Sequence, residues 1–275
     1  MFECVINISE GQDEPLLRQF ERSGGSSFRH RHSDPWHNRS VYTLINERTE
    51  LLLDAQWMVR NVVDALDLEF HEGVHPRFGV VDVVPFVALD PTERSVAREL
   101  RDQMAAWLGD LGVPTFLYGE VNGVERTLPQ VRREAFVSLQ PDFGPELADP
   151  ETGSAAVGER PLLLAWNMYI SGVDLATTKT LARDLRRPGI RTLGLEVGRR
   201  LQVSCNLIDP LNVGPEQAYD ALSARLPAGA AIDECELVGL APRAVLDHAG
   251  ALRWSQLGLS DELTIEHAVR SGASA

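Results

Sequence analysis

LLLAWNMYI, Leu162 to Ile170, is an apolar run of strand length, and the segments on its C-terminal side decide the fold. Asp174 stands where a helix N-cap belongs, and the periodic segment Leu175 to Arg186 runs until Pro188-Gly189 stops it. Two further strand-like runs, Arg191 to Val197 and Leu201 to Leu207, are joined by the hairpin-length connection Gly198-Arg199-Arg200. Gly214-Pro215 opens a helix to about Leu226, and Ala231 to Val238 reads as a last strand. Strand, helix, strand, strand, helix, strand is the split βαβ order of ferredoxin-like domains.

The first half repeats the order. Glu3 to Ile8 is a strand, Pro15 to Arg22 a helix, the neighbourhood of Phe28 a weak strand, Ser40 to Ile45 a strand, Thr49 to Leu66 a helix and Val81 to Leu89 a strand. The expected fold class is therefore α+β, with two ferredoxin-like (βαββαβ) lobes from an internal duplication. An added helix comes next, with Asp90 as N-cap, Pro91 in its first turn, Glu93 completing a capping box, and Val96, Leu100, Met104 and Leu111 on one face. Pro114 to Tyr118 reads as an extra strand. Pro141 to Glu159, rich in Gly, Pro and acidic residues, reads as the connection, which places the lobes at 1–155 and 156–275.

The halves differ in one place. Between the second helix and last strand of the first lobe lies Asp67 to Val80, with His71-Glu72-Gly73-Val74-His75-Pro76-Arg77-Phe78-Gly79 inside it, whereas the equivalent connection in the second lobe is only Pro227 to Gly229. A long loop on a rigid scaffold is where function concentrates. Histidines 30, 32, 37, 71 and 75 crowd into this region. Imidazole is the side chain that titrates nearest neutrality, so a loop histidine is a natural general acid or base. Pro76 restricts the backbone of His75 to extended conformations, and Gly73 and Gly79 let the chain turn around it. Arg77 is suited to grip a carboxylate, with an internal salt bridge to Asp82 as the competing reading.

His71 and His75 have the spacing of a helical zinc motif, but Gly73 and Pro76 argue against a continuous helix, and no metal is expected. P-loop, dinucleotide-binding and nucleophile-elbow signatures are absent from the sequence. A formal net charge of −14 over 275 residues argues against a nucleic-acid partner. No apolar run reaches the length of a membrane span and no signal peptide is expected. Cys4, Cys205 and Cys235, each in an apolar run, read as buried free thiols of a cytoplasmic protein.

Several motifs go further than pattern. Glu3-Cys4-Val5-Ile6-Asn7-Ile8-Ser9-Glu10-Gly11, Asp34-Pro35-Trp36-His37-Asn38-Arg39-Ser40-Val41, and His75-Pro76-Arg77 with Gly79, Asp82 and Pro85-Phe86 resemble, in order, the landmarks of the glutamate formiminotransferase family. So do Tyr118-Gly119-Glu120, Asp142-Phe143-Gly144-Pro145 and Gly239-Leu240-Ala241-Pro242. The resemblance implies two ferredoxin-like lobes, a homodimer, and a transferase of histidine degradation and one-carbon metabolism that moves a formimino group from N-formimino-L-glutamate to tetrahydrofolate, its co-substrate. It implies His75 as the catalytic base. Asn7, His37, Asn38, Arg39, Arg77 and Asp82 become substrate- and folate-binding candidates, with the arginines on carboxylates and the asparagines on pterin or formimino nitrogens. Local turn bonding is the competing reading of both asparagines.

The sequence departs from the family pattern at Ile6-Asn7-Ile8, where Pro-Asn-Phe is usual, and at Phe78, where Met or Ile is common. In the second lobe Tyr169 and Ile208 replace polar residues. These changes keep open a paralogue acting on another amidine or acyl donor, and a metal-dependent hydrolase built on the histidines is the rival from a different class. The cyclodeaminase activity fused to some family members is not expected here.

Overall fold

The computed structural model describes residues 1–73 and 77–272, which form two units, Met1–Pro161 and Leu162–Ala275.

In the first unit β1 (Phe2–Ile8), α1 (Glu14–Ser23), β2 (Phe28–Asp34), β3 (Arg39–Asn46), α2 (Arg48–Ala65) and β4 (Val81–Ala88) keep the expected order. Asp13 caps α1, its Oδ1 accepting from the Leu16 N–H at 3.0 Å, and Leu17 and Phe20 are the apolar side chains the helix buries. Alternation along β1 sends Cys4, Ile6 and Ile8 into a core with Leu17, Phe20 and Met58. Glu3, Val5 and Asn7 are left on the opposite face. The strands stand in the order β2-β3-β1-β4, with β1 antiparallel to both β3 and β4.

The sheet then continues. After α3 (Arg94–Asp110) come β5 (Thr115–Val121), β6 (Val124–Arg126), α4 (Leu128–Glu134) and β7 (Ala155–Glu159), giving a seven-stranded sheet in the order β2-β3-β1-β4-β7-β5-β6. Here the structure corrects the sequence reading of 141–159. Its last five residues are not connection but a fully buried strand, parallel to β4 on one side and β5 on the other. Ala155, Ala156, Val157 and Gly158 are small enough to be covered on both faces, which is why the strand lacks a long apolar signature. The division between units accordingly falls after Pro161 rather than near residue 155.

Other boundaries moved for local reasons. The weak strand at Phe28 is seven residues long, half-buried throughout, and lies at the edge of the sheet. Asp90 caps a 3-10 turn, Pro91–Glu93, by accepting from the Thr92 N–H at 2.9 Å, and α3 begins only at Arg94. A reciprocal capping box does exist at Thr127 and Gln130, where it opens α4, a helix the sequence reading missed.

In the second unit β8 (Leu164–Ser171), α5 (Leu175–Leu185), β9 (Ile190–Val197), β10 (Arg200–Leu207), α6 (Pro215–Ser223) and β11 (Ala231–Val238) build a four-stranded antiparallel sheet in the order β11-β8-β10-β9. Numbered within each unit, both sheets carry the spatial order 4-1-3-2 of the split βαβ plan, which the first unit extends by three strands. Trp166, Met168 and Ile170 pack with Leu181, Leu185 and Leu222 on the helical side. Two helices unread in the sequence, α7 (Arg243–Ala249) and α8 (Ile265–Gly272), complete this unit; Val245 and Leu246 of α7 join its core.

Candidate functional site

The loop between α2 and β4 is tied down at both ends. Leu68 N–H donates to the Glu151 carbonyl at 2.7 Å, Val80 N–H to that of Thr152 at 2.9 Å, and Ser154 N–H to that of Phe78 at 2.9 Å. Gly79 lies against Gly153 in an isolated bridge, so close that a Cβ on Gly79 would sit 2.1 Å from the Ser154 carbonyl oxygen. Further along, Gly73 packs on the β2–β3 turn, where a Cβ would be 2.4 Å from the carbonyl oxygen of His37. Small residues are therefore required at both positions for the loop to lie where it does.

Asn38 does the complementary work from the turn. Its backbone is left-handed, φ 47°, a conformation asparagine tolerates better than most residues. Its Oδ1 accepts from the Gly11 N–H at 2.8 Å and its Nδ2 donates to the Glu72 carbonyl at 2.8 Å, so one side chain joins three segments. The carbonyl of Asn38 in turn lies 2.8 Å from Nε2 of His71. A carbonyl can only accept, so in the neutral ring Nε2 carries the proton and Nδ1 the lone pair. Burial holds His71 below its ordinary pKa, opposed by this hydrogen bond.

His71-Glu72-Gly73-Val74-His75 has the spelling of a helical zinc motif. His71, however, comes after a 3-10 turn in extended conformation, φ −88° and ψ 125°, where a zinc helix needs both histidines on one face. Among the described residues no group of three or more His, Cys, Asp or Glu is placed to hold a metal ion.

Beneath the loop, three sequence candidates meet. Asn7 stands on β1 between Val41 of β3 and Val83 of β4. Arg39, the first residue of β3, donates from one nitrogen to Asp82 at 2.5 Å and from another to Oδ1 of Asn7 at 2.8 Å. Asp82 is buried, and its second oxygen accepts from the Phe78 N–H at 2.9 Å, which ties the loop's end to the network. Burial lowers the pKa of the Arg39 guanidinium, and the Asp82 carboxylate opposes that shift. A fourth member, absent from the sequence candidates, is Arg132 of α4, 2.6 Å from the same Asp82 oxygen. The two guanidiniums share this one carboxylate oxygen. The capping box at Thr127 was the available signal for Arg132, since it starts the helix that carries it.

The remaining candidates fall beside this network. Arg77 donates to the carbonyl of His71 at 2.6 Å and at 3.4 Å to that of Gly73, while the ion pairs at Asp82 come from Arg39 and Arg132. His37 is buried in the β2–β3 turn, its backbone N–H donating to Asp34 at 2.9 Å and its ring nitrogen 3.8 Å from the other Asp34 oxygen. Asn7 also makes the local bond expected of the competing reading, Nδ2 to the Val5 carbonyl at 2.9 Å. His75, the predicted base, lies outside the described residues together with Val74 and Pro76.

The second unit turns a polar face away from its helices. Asn167 and Tyr169 of β8 both approach Oε2 of Glu236 on β11, at 3.3 Å each. Tyr169 is opposite Gln202 of β10, whereas Ile208 lies just past the far end of that strand. The two departures therefore lie roughly 20 Å apart along the sheet and do not share one pocket.

Comparison with known proteins gives this geometry a lineage. The formiminotransferase domain, N-terminal subdomain, matches residues 1–160, more than half of the chain. A glutamate formimidoyltransferase of Thermoplasma acidophilum is 29% identical, the match covering 90% of this chain and 89% of its own. One from Streptococcus pyogenes serotype M1 is 27% identical, over 90% of this chain and 91% of its own. A formimidoyltransferase-cyclodeaminase of Gallus gallus is 32% identical over 90% of this chain, but the match spans only 52% of that longer protein. The chain belongs to the formiminotransferase family.

Proposed function

We propose that the protein is a glutamate formimidoyltransferase, moving the formimino group of N-formimino-L-glutamate to tetrahydrofolate in histidine breakdown, as a homodimer in the reducing cytoplasm that its three buried free thiols suit. Among the described residues no helix is long and apolar enough to cross a membrane. The observation that carries the reading is the near-full-length match to two proteins of that name, on a chain whose Asn7–Arg39–Asp82–Arg132 network underlies the loop bearing His75.

In this reading a folate ring amine attacks the amidine carbon, loses its proton as the bond forms, and the glutamate amine leaves with a proton. One imidazole, His75, takes the first and supplies the second. Asp82 orients Arg39 and fixes the loop's end through Phe78. Asn38 acts through the loop rather than on the ligand, because both ends of its amide already hold backbone. The guanidiniums of Arg39, Arg77 and Arg132 offer carboxylates planar, forked donors within an acidic protein. A relative acting on a different amidine donor is the second reading, raised by Tyr169.

The test is transfer from N-formimino-L-glutamate to tetrahydrofolate, monitored by absorbance of the cyclised folate product. Wild-type turnover that falls by about 10²-fold or more in His75→Ala is expected. Folded wild-type protein that binds folate but does not turn over would sink the glutamate assignment.

A further inference from the structure

Arg77 is half-buried, and its guanidinium meets the carbonyls of His71 at 2.6 Å and Gly73 at 3.4 Å but, among the described residues, no carboxylate. In a chain with 40 acidic side chains against 26 basic ones, an arginine held by backbone alone keeps its charge for a partner from outside the fold. A guanidinium carries its N–H donors in a fixed fork, and these carbonyls leave most of them unspent. The direction of that fork is set by where the His71 carbonyl stands.

The β2–β3 turn places it. The Asn38 side chain donates to the Glu72 carbonyl at 2.8 Å, Gly73 packs against the His37 carbonyl, and Nε2 of His71 donates to the Asn38 carbonyl at 2.8 Å. The last of these alone engages residue 71, whose own carbonyl Arg77 grips. At the other side of the ring, Nδ1 is buried and has no hydrogen-bond partner. Buried acceptors are rarely left unpaired, and an apolar side chain would avoid that cost. What the imidazole contributes here is the bond from Nε2.

We propose that His71 is a positioning residue: its ring, locked onto the Asn38 carbonyl, holds its own carbonyl where it turns the Arg77 guanidinium toward a carboxylate of the substrate. The proposal rests on the formimidoyltransferase reading for the identity of that carboxylate, which the glutamate of the donor and the glutamate tail of the folate both offer. Asn38 and Gly73 keep the loop docked when the ring is lost, so the damage falls on the aim of Arg77 and not on the fold.

The variants His71→Leu, His71→Gln and Arg77→Ala test it, with His71→Leu and Arg77→Ala also combined, each confirmed folded by circular dichroism. KM, kcat and calorimetric affinity are read for N-formimino-L-glutamate, for tetrahydrofolate and for tetrahydropteroate, which lacks the glutamate tail. His71→Leu is expected to raise by about tenfold the KM of one substrate, the one that Arg77→Ala also raises, with kcat changed less. The Nε2 of glutamine can reach the Asn38 carbonyl as the imidazole does, so His71→Gln is expected to recover most of the loss. The combined variant is expected to be no worse than Arg77→Ala alone, because the two changes remove one contact. Movement confined to N-formimino-L-glutamate assigns the carboxylate to the donor. Movement for tetrahydrofolate but not tetrahydropteroate assigns it to the folate tail. Should His71→Leu fail to fold, His71→Asn takes its place, its shorter amide falling short of the carbonyl.

Unchanged KM values in the folded variant, additive losses in the combination, or His71→Gln no better than His71→Leu overturns the proposal while leaving the transferase reading intact. Equal movement for donor and folate, or movement that tetrahydropteroate shares, overturns it as well. Wild-type protein that neither binds nor transfers overturns the reading and the proposal together. Binding without transfer, weakened in His71→Leu and restored in His71→Gln, sustains the positioning role alone.

Discussion

Glu3 is 3% exposed on β1, beside the positive charge of Arg160, and burial pushes its pKa up to about 7 despite that charge. A raised carboxyl pKa means the folded state holds a proton that the unfolded chain gives up near 4.5. Stability from this group is thus complete below about pH 4.5 and is lost as pH rises through about 7. Glu3→Gln, which mimics the protonated form, is expected to gain as much as about 3 kcal/mol over wild type at pH 8 and almost nothing at pH 4, in urea denaturation at each pH. His30 runs the other way. Burial, with His32 and Arg31 nearby, lowers its pKa to about 4, so its contribution is present above 6.5 and is lost as pH falls toward 4. His30→Gln is expected to flatten the stability profile across that window. At Asp82 the expectation is larger: Asp82→Asn leaves Arg39 and Arg132 without their shared counter-charge and should cost about 3–5 kcal/mol in denaturant titration. Asn7, Arg39 and Asp82 were legible as a group only through motif resemblance, because their contacts join positions 32 to 43 residues apart. Arg132, 50 residues from Asp82, sits in no quoted motif, and nothing in one sequence announces that pairing.

At the scale of elements, alternation and capping read β8, α5, β9, β10, α6 and β11 to within three residues, since Asp174, Pro188-Gly189 and Gly214-Pro215 punctuate them strongly, whereas α7 and α8 of the same unit went unread. The same rules failed on β7 and α4. A five-residue strand of small side chains shows no period, and a helix of seven residues offers less than two full turns of pattern. The loop between α2 and β4 was conspicuous by its length and composition, but what fixes it was not, because its anchors are backbone groups of Glu151, Thr152 and Ser154 and of the β2–β3 turn. Gly79→Ala tests that anchoring directly. The added Cβ meets backbone rather than a flexible side chain, so the loop must shift; transfer activity is expected to fall more than about tenfold with a melting temperature only modestly lowered.

For the molecule as a whole, a formal charge of −14 sets an unfavourable background for anionic folate and glutamate. In the proposed reading attraction through Arg39, Arg77 and Arg132 is local, and added salt screens exposed charges beyond about 8–10 Å. Raising ionic strength from about 0.05 to 0.5 M is therefore expected to raise the KM for tetrahydrofolate while kcat stays level. The two-unit plan came from the repeated strand and helix order; the division after Pro161 did not, because it depends on where β7 pairs. That pairing has a consequence in time. During synthesis β4 and β5 emerge with α3 between them yet cannot touch, since the strand that belongs between them, Ala155–Glu159, is made last in its unit. Until it arrives the nascent sheet has two open edges facing a gap one strand wide, each able to accept a strand from a neighbouring chain. A ribosome stalled before residue 155 would hold an aggregation-prone intermediate, and one stalled well beyond residue 161 a protease-resistant unit.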